Sequence, residues 1–212
     1  MKTTIEQAVR HLQNGGLVVL TDNESRENEG DLVGIGSSMT PQNINFMVTH
    51  AHGLLCAPVA PRVAKRLLLT QMVEENTEQN GTKFTFSIDG AEKSTGVTTG
   101  VSAYDRSATI QKLADSQSTS DDFVHPGHVF PLVAEEKGVL EREGHTEAAI
   151  DLAYLAGEEP VGAICEILLP DGHMARTDYL EQFAIKYELP FITIEQLKKY
   201  ILSHGRGEIN NG

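Results

Sequence analysis

The segment Arg26-Glu27-Asn28-Glu29-Gly30-Asp31 places three carboxylates at every second position. On extended backbone, Glu27, Glu29 and Asp31 would therefore project from one face. Carboxylates this close repel one another, and holding them ionised and ordered requires full solvation or a divalent cation. The cluster lies between the apolar runs Leu17-Val18-Val19-Leu20 and Leu32-Val33, both predicted strands. A metal-binding rim and a charged hairpin turn are both open on this pattern.

Three further groups of residues have the chemistry of a site. Thr98, Thr99, Ser102 and Gly100 precede a predicted helix start, with Asp105 and Arg106 in its first turn. Free N–H groups at a helix N-terminus, short hydroxyls and a guanidinium are the donors a phosphate needs, although a Ser/Thr-rich helix cap has the same composition. The spacing is not that of a nucleotide-binding P-loop. His125-Pro126-Gly127-His128 and, further on, Arg142-Glu143-Gly144-His145-Thr146 offer imidazoles held by turn residues, suited to proton transfer or metal ligation near neutral pH. Singly, each histidine is equally a solvated loop residue or a helix-start residue. Glu166 stands in the apolar run Ile164-Cys165-Glu166-Ile167-Leu168. A carboxylate in a buried strand must be paired with an arginine, sit at the strand end, or act as an acid or base.

The elements that must position these groups alternate in type. Helices are predicted over 5–13, 40–48, 61–68, 102–113, 146–156 and 178–187, with a last one from 195. Strands are predicted over 17–21, 54–59, 83–89, 130–134, 161–169 and 191–194. Thr40-Pro41 is an N-cap followed by proline at the first helical position, and Ser102 with Asp105 resembles a capping box. No Pro/Ser-rich linker or internal repeat breaks the chain, so the expectation is one α/β domain over 1–205 with a frayed tail at 206–212. The 212 residues carry a formal charge of −13 without a Lys/Arg run, which disfavours a nucleic-acid partner. A leader's apolar core and a membrane-length apolar stretch are both lacking, so a cytoplasmic location with no membrane partner is expected. Cys56 and Cys165 lie in apolar runs far apart and are expected to be reduced thiols.

Taken together, RENEGD at 26–31, TTGVSAYDR at 98–106, HPGHVFPL at 125–132, GHTEAAIDLAYLAG at 144–157 and PVGAICEI at 160–167 closely resemble the 3,4-dihydroxy-2-butanone 4-phosphate synthase family of riboflavin biosynthesis. The resemblance runs in order from about residue 5 to 195. It implies a three-layer arrangement of helices around a mixed sheet and a homodimer, a dimer that could place His128 of one subunit in the other subunit's site, with its own subunit's site equally open. The implied activity is conversion of ribulose 5-phosphate to 3,4-dihydroxy-2-butanone 4-phosphate plus formate, with magnesium or manganese, two ions per site. Carried over residue by residue, Glu27 and His145 would ligate metal, and Glu29 would complete the acidic pocket. Arg26, Glu27 and Asp31 would contact substrate, as would the loop Arg142, Glu143, Gly144, His145 and Thr146. His128 and Glu166 match residues essential for catalysis, and Asp31 or Glu29 would take the first proton. Thr98, Thr99, Ser102, Asp105 and Arg106 fall in the region expected to hold the sugar phosphate, and Glu166 would also contact substrate.

The chain departs from the family pattern at His52, where an arginine is common before the glycine of the Leu-Leu-Cys strand. It contains no cysteine-rich motif of a GTP cyclohydrolase II domain, so a single-function version is expected. Two other functions use the same features. A sugar-phosphate hydrolase would release inorganic phosphate, whereas a non-catalytic metabolite-binding protein would have no use for poised acid/base groups beside a metal pocket.

Overall fold

Helix α1 (Ile5–Gln13) starts at a reciprocal capping box between Thr4 and Gln7, and its apolar stripe of Ile5, Ala8, Val9 and Leu12 is buried. The structure, a computed structural model, describes residues 3–207. Strands β1 (Val18–Thr21) and β2 (Gly30–Ile35) are entirely buried and pair antiparallel, so the acidic segment joins them as the connection of a hairpin. After α2 (Pro41–His50), β3 (Cys56–Val59) and α3 (Pro61–Arg66) come the short β4 (Ile88–Gly90) and α4 (Glu92–Thr95). Next are α5 (Ala103–Leu113), β5 (Phe123–Val133), α6 (His145–Leu155), β6 (Gly162–Glu166), α7 (Thr177–Lys186), β7 (Phe191–Thr193) and α8 (Ile194–His204).

The strands form one mixed sheet in the order β4-β5-β3-β6-β2-β1-β7, with β1–β7 and β3–β5 parallel and the remaining pairs antiparallel. Alternate residues of each strand face opposite layers. On one face Val18, Leu20, Val33, Cys56 and Ile164 meet α1, α6 and α8 through Leu12, Leu152 and Leu197. On the other Val19, Leu32, Ala57, Ala163 and Cys165 meet α2, α5 and α7 through Met47, Ile110 and Phe183. This is the three-layer single α/β domain expected from the sequence, with eight α-helices among the described residues. Asp31 shares the parity of Val33, and Glu166 that of Ile164, so both belong to the α6 face.

Several elements differ from expectation. The predicted strand at 83–89 is regular only from Ile88; Phe84 and Thr85 make isolated bridges to Leu132 and Gln71 because the register against β5 breaks at Ile88/Asp89. The strand predicted at 130–134 begins instead at Phe123, so His125-Pro126-Gly127-His128 lies inside a strand rather than in a turn. There β5 accommodates four extra residues, since Val129 pairs with Ile88 and Val124 with the adjacent Asp89. Gly127 is required at that point, because a Cβ would lie 2.1 Å from the Ile88 carbonyl carbon and 2.3 Å from Asp89 N. The predicted strand at 161–169 ends at Glu166. Ser102 caps α5 by accepting from Asp105 N at 3.0 Å, but the Asp105 carboxylate turns to the preceding loop and leaves the box unreciprocated.

Within the segment predicted as a tail, residues 208–212 lie outside those described, while Arg206 is held. Its guanidinium reaches Asp151 Oδ1 at 2.5 Å and Glu136 O at 2.8 Å and lies over the Tyr154 ring. Asp151 is fully buried and also accepts from Val139 N at 2.8 Å. Burial pushes its carboxyl up to about 6, against the Val139 N–H and the Arg206 charge. A raised folded value means that this group's contribution is fully present below its ordinary value near 4 and is lost as pH rises through about 6. We therefore expect wild type to lose roughly 3 kcal/mol relative to Asp151→Asn between pH 4 and 7.5, measured by urea unfolding of both proteins. A pH-independent difference would contradict it.

Candidate active site

Asp22, the residue after β1, organises the acidic connection. Its Oδ2 accepts from Glu27 N at 2.9 Å and its Oδ1 from Glu29 N at 2.9 Å, while Arg26 Nη1 lies 3.1 Å from Oδ2. Asn28 adopts the left-handed conformation at φ 55°, and Arg176 donates to the carbonyls of Glu27 and Asn28. The three acidic side chains therefore do not share one face of an extended strand. Glu27 and Glu29 stand on a folded loop, and only Asp31 belongs to β2.

Asp31 pairs in register with Glu166 at the end of β6. Above this end of the sheet, α6 opens at Gly144 and brings His145 down between the carboxylates. Its Nδ1 is 3.4 Å from Glu27 Oε2 and its Nε2 is 4.0 Å from Asp31 Oδ1. Donor atoms of Asp22, Glu27 and His145 all lie within 4.8 Å of one another. Among the described residues Glu166 has no arginine partner; its Oε2 accepts from Leu54 N at 2.8 Å.

The charges are strongly unbalanced. Burial pushes the Asp31 carboxyl up to about 7, and Glu166, Glu27 and Glu29 raise it further while His145 opposes. Glu27 is held down at about 2 by its bond to His145 and by Arg26. Burial works against a charged His145, but Asp31, Glu27 and Asp22 raise it to about 9. Glu29 is raised by burial and by Glu27. Amid this field Asp31 Oδ1 and His145 Nε2 are buried without hydrogen-bond partners among the described residues, a rare condition for polar atoms in a folded protein. Two orphaned donors, flanked by further carboxylates in an oxygen/imidazole set, fit a hard divalent cation.

The rest of the loop before α6 is engaged with the protein. Arg142 binds the buried Glu147 at 2.6 Å, Thr82 Oγ1 at 2.8 Å and Asn80 O at 3.2 Å. Asn80 in turn donates to Glu27 Oε1 at 2.8 Å, so the 76–82 loop lies across the acidic pocket. Glu143 pairs with Lys198, and Thr146 is buried in the first turn of α6. Outside the acidic loop an open cavity of about 1370 Å³ is lined by Asp22, Arg26, Glu143, Glu181 and Lys199.

His128 belongs to a second cluster. Its Nδ1 is 2.7 Å from Asp89 Oδ2, and β3 lies between its strand and β6. Beside it, Asp105 accepts from Thr98 N at 3.0 Å, Thr98 Oγ1 at 3.0 Å and Gly100 N at 3.1 Å, so those loop donors are already used. Thr99 and Ser102 are exposed, and Arg106 is half-buried with an unpartnered Nε. His52 is exposed at φ 70° and bridges Ile167 through backbone. Both cysteines are free and buried, and burial raises each thiol.

Structure thus gathers Arg26, Glu27, Glu29, Asp31, His145 and Glu166 around one point and sets His128 and the 98–106 loop apart. The organising residues Asp22, Asn80, Asp89 and Arg176 escaped the sequence reading, and Glu147, which lies in the GHTEAAIDLAYLAG motif, had been given no role. Asp22 had a local signal, an aspartate directly after a buried strand, where its side chain caps turn N–H groups. The others act through contacts distant in sequence.

A family model for 3,4-dihydroxy-2-butanone 4-phosphate synthase matches residues 6–200. The riboflavin biosynthesis protein RibBA of Staphylococcus aureus (strain MSSA476) is 50% identical over 92% of this chain and 49% of its own length, so the chain spans about half the length of the curated relatives it matches. A solved two-domain 3,4-dihydroxy-2-butanone 4-phosphate synthase from A. baumannii, RibBX, superposes with a TM-score of 0.91 at 43% identity, covering 95% of this chain and 59% of that one. A 3,4-dihydroxy-2-butanone 4-phosphate synthase solved in complex with two magnesium ions gives 0.90 at 38% identity, covering 96% and 99%.

Gly53 packs tightly against Glu166, since a Cβ would come within 2.4 Å of Glu166 O and 2.5 Å of its Oε2. Gly53→Ala is expected to lower stability by about 1–3 kcal/mol, read by urea unfolding, and to displace the Glu166 carboxylate. A variant as stable as wild type would show that the approach is looser.

Proposed function

Because the chain belongs to the 3,4-dihydroxy-2-butanone 4-phosphate synthase family, a lyase family of riboflavin biosynthesis, we propose that it converts ribulose 5-phosphate to 3,4-dihydroxy-2-butanone 4-phosphate and formate. The observation that carries this reading is the meeting of Glu27, Asp31 and His145 around two orphaned buried atoms, with Glu166 in register beside them.

Glu27 and His145 would hold magnesium or manganese, with two ions per site proposed; a relative solved in complex with two magnesium ions supports the choice of metal. When bound, such ions polarise the ketone and neighbouring hydroxyls and neutralise developing negative charge. The protein's own groups do the rest. Asp31, raised toward neutral pH by burial, is suited to take the proton alpha to the ketone, with Glu29 as the neighbouring acceptor. Arg26 faces the outer cavity and contributes a cation to substrate binding at the loop. Glu166 and His128 exchange protons in the later loss of water, skeletal shift and formate release.

The Arg142-Glu143-Gly144-His145-Thr146 turn shapes the pocket, and Arg142 ties the 76–82 loop over it. Thr99, Ser102 and Arg106 are the donors left for the sugar phosphate, on a loop ordered by Asp105. His128 is exposed and is separated from Glu166 by a strand. This supports a homodimer in which His128 serves the partner's site. A cytoplasmic protein is proposed with neither nucleic-acid nor membrane partners, on the net charge of −13 and because no described helix is long and apolar enough to cross a membrane.

Purified protein is expected to release formate from ribulose 5-phosphate with magnesium or manganese and not with EDTA. Glu166→Gln should lower kcat by about 10²-fold or more. Inorganic phosphate in place of formate would identify a hydrolase, and neither product from folded, metal-loaded protein would remove the assignment.

A further inference from the structure

The bulge in β5 sets His128 against Asp89. The Asp89 carboxylate is largely buried and holds His128 twice. Its Oδ1 accepts from His128 N at 2.9 Å, and its Oδ2 meets ring Nδ1 at 2.7 Å. A carboxylate only accepts, so the proton of that bond resides on Nδ1 and the neutral ring presents Nε2 as its lone-pair site. Among the described residues nothing hydrogen-bonds Nε2, and the side chain is 46% exposed.

A glycine closes one side of the pair. Gly100 packs against the pair at φ 89°, and a Cβ there would lie 2.1 Å from Asp89 Oδ2 and 2.5 Å from His128 Nδ1. Asp105 pins that glycine through its N–H. Asp89 of β4 is thus the charged group paired with the ring, and Asp105 of α5 holds the glycine beside it.

We infer that Asp89 is a positioning residue that fixes the tautomer and orientation of His128, leaving Nε2 as the atom that accepts and returns a proton. The inference rests on the proton-transfer role proposed for His128. In the step itself Nε2 takes a proton from substrate, Nδ1–H stays on the ring, and Asp89 faces the resulting imidazolium until the proton is returned from Nε2.

The test uses the full chain with its metal. In wild type at alkaline pH, ¹⁵N NMR of His128 should show a protonated Nδ1 and an unprotonated Nε2. In Asp89→Asn the amide donates to Nδ1, so the proton moves to Nε2. Then kcat should fall about 10²-fold or more with KM changed less than about 3-fold. Asp89→Glu, which restores an acceptor, should recover the wild-type tautomer and part of kcat.

An Nε2-protonated ring in wild type would overturn the inference whether or not the variants fold. Full kcat in Asp89→Asn, or a loss of kcat with the tautomer unchanged, would also overturn it. Undiminished formate release by His128→Asn would instead remove the role of His128 and leave the tautomer result standing, so the two failures are distinguishable.

Discussion

Asp31 is the group on which the rest of the structure depends. It is a carboxylate on a strand buried on both sides, set against Glu166 across the sheet and against His145 from the helix above. Burying such a charge without compensation is strongly unfavourable, and here one imidazole faces several carboxylates. The three layers supply rigid support for this unfavourable pocket. Val33 and Ile164, next in line on the same face, pack under α6 through Ala148 and Leu152. The helix that provides the histidine is thereby clamped to the strands that provide the acids.

The acidic loop is prepared by backbone chemistry before any ligand is considered. Asp22 gathers the N–H groups of Glu27 and Glu29, Arg176 gathers two carbonyls on the other side, and Asn28 takes the left-handed turn between them. Such loops lose conformational entropy when ordered, and prior ordering means that less is lost on binding. Arg142 extends the same logic outward by joining Glu147, in the core of α6, to the loop carrying Asn80. The 76–82 loop thereby converges on Glu27, the residue proposed to hold the cation.

Much of this was legible in the sequence because it depended on local pattern. Proline at the start of α2, its capping Thr40 and the apolar runs of β1 and β6 announced themselves, and the resemblance joined motifs that spacing alone left ambiguous. The extended reading of Glu27, Glu29 and Asp31 failed because Asp22, outside the motif, folds the backbone between them. His125-Pro126-Gly127-His128 has the composition of a turn, yet it is held in β5 by a bulge against Ile88 and Asp89, about forty residues earlier. Asp89 had no signal at all in its own neighbourhood. Pairings of this kind are set by sheet register, which a single sequence does not display.

The central claim is that the frustrated cluster around Asp31 and His145 is completed by a divalent cation held by Glu27. The most direct measurement is the thermal unfolding midpoint of wild type and Glu27→Gln, each with EDTA and with saturating magnesium. Binding to the folded state alone contributes about 2.7 kcal/mol at a hundredfold excess over Kd. Wild type should therefore melt several degrees higher with magnesium, and Glu27→Gln should lose most of that rise. An equal rise in both proteins, or none in wild type, would contradict the account.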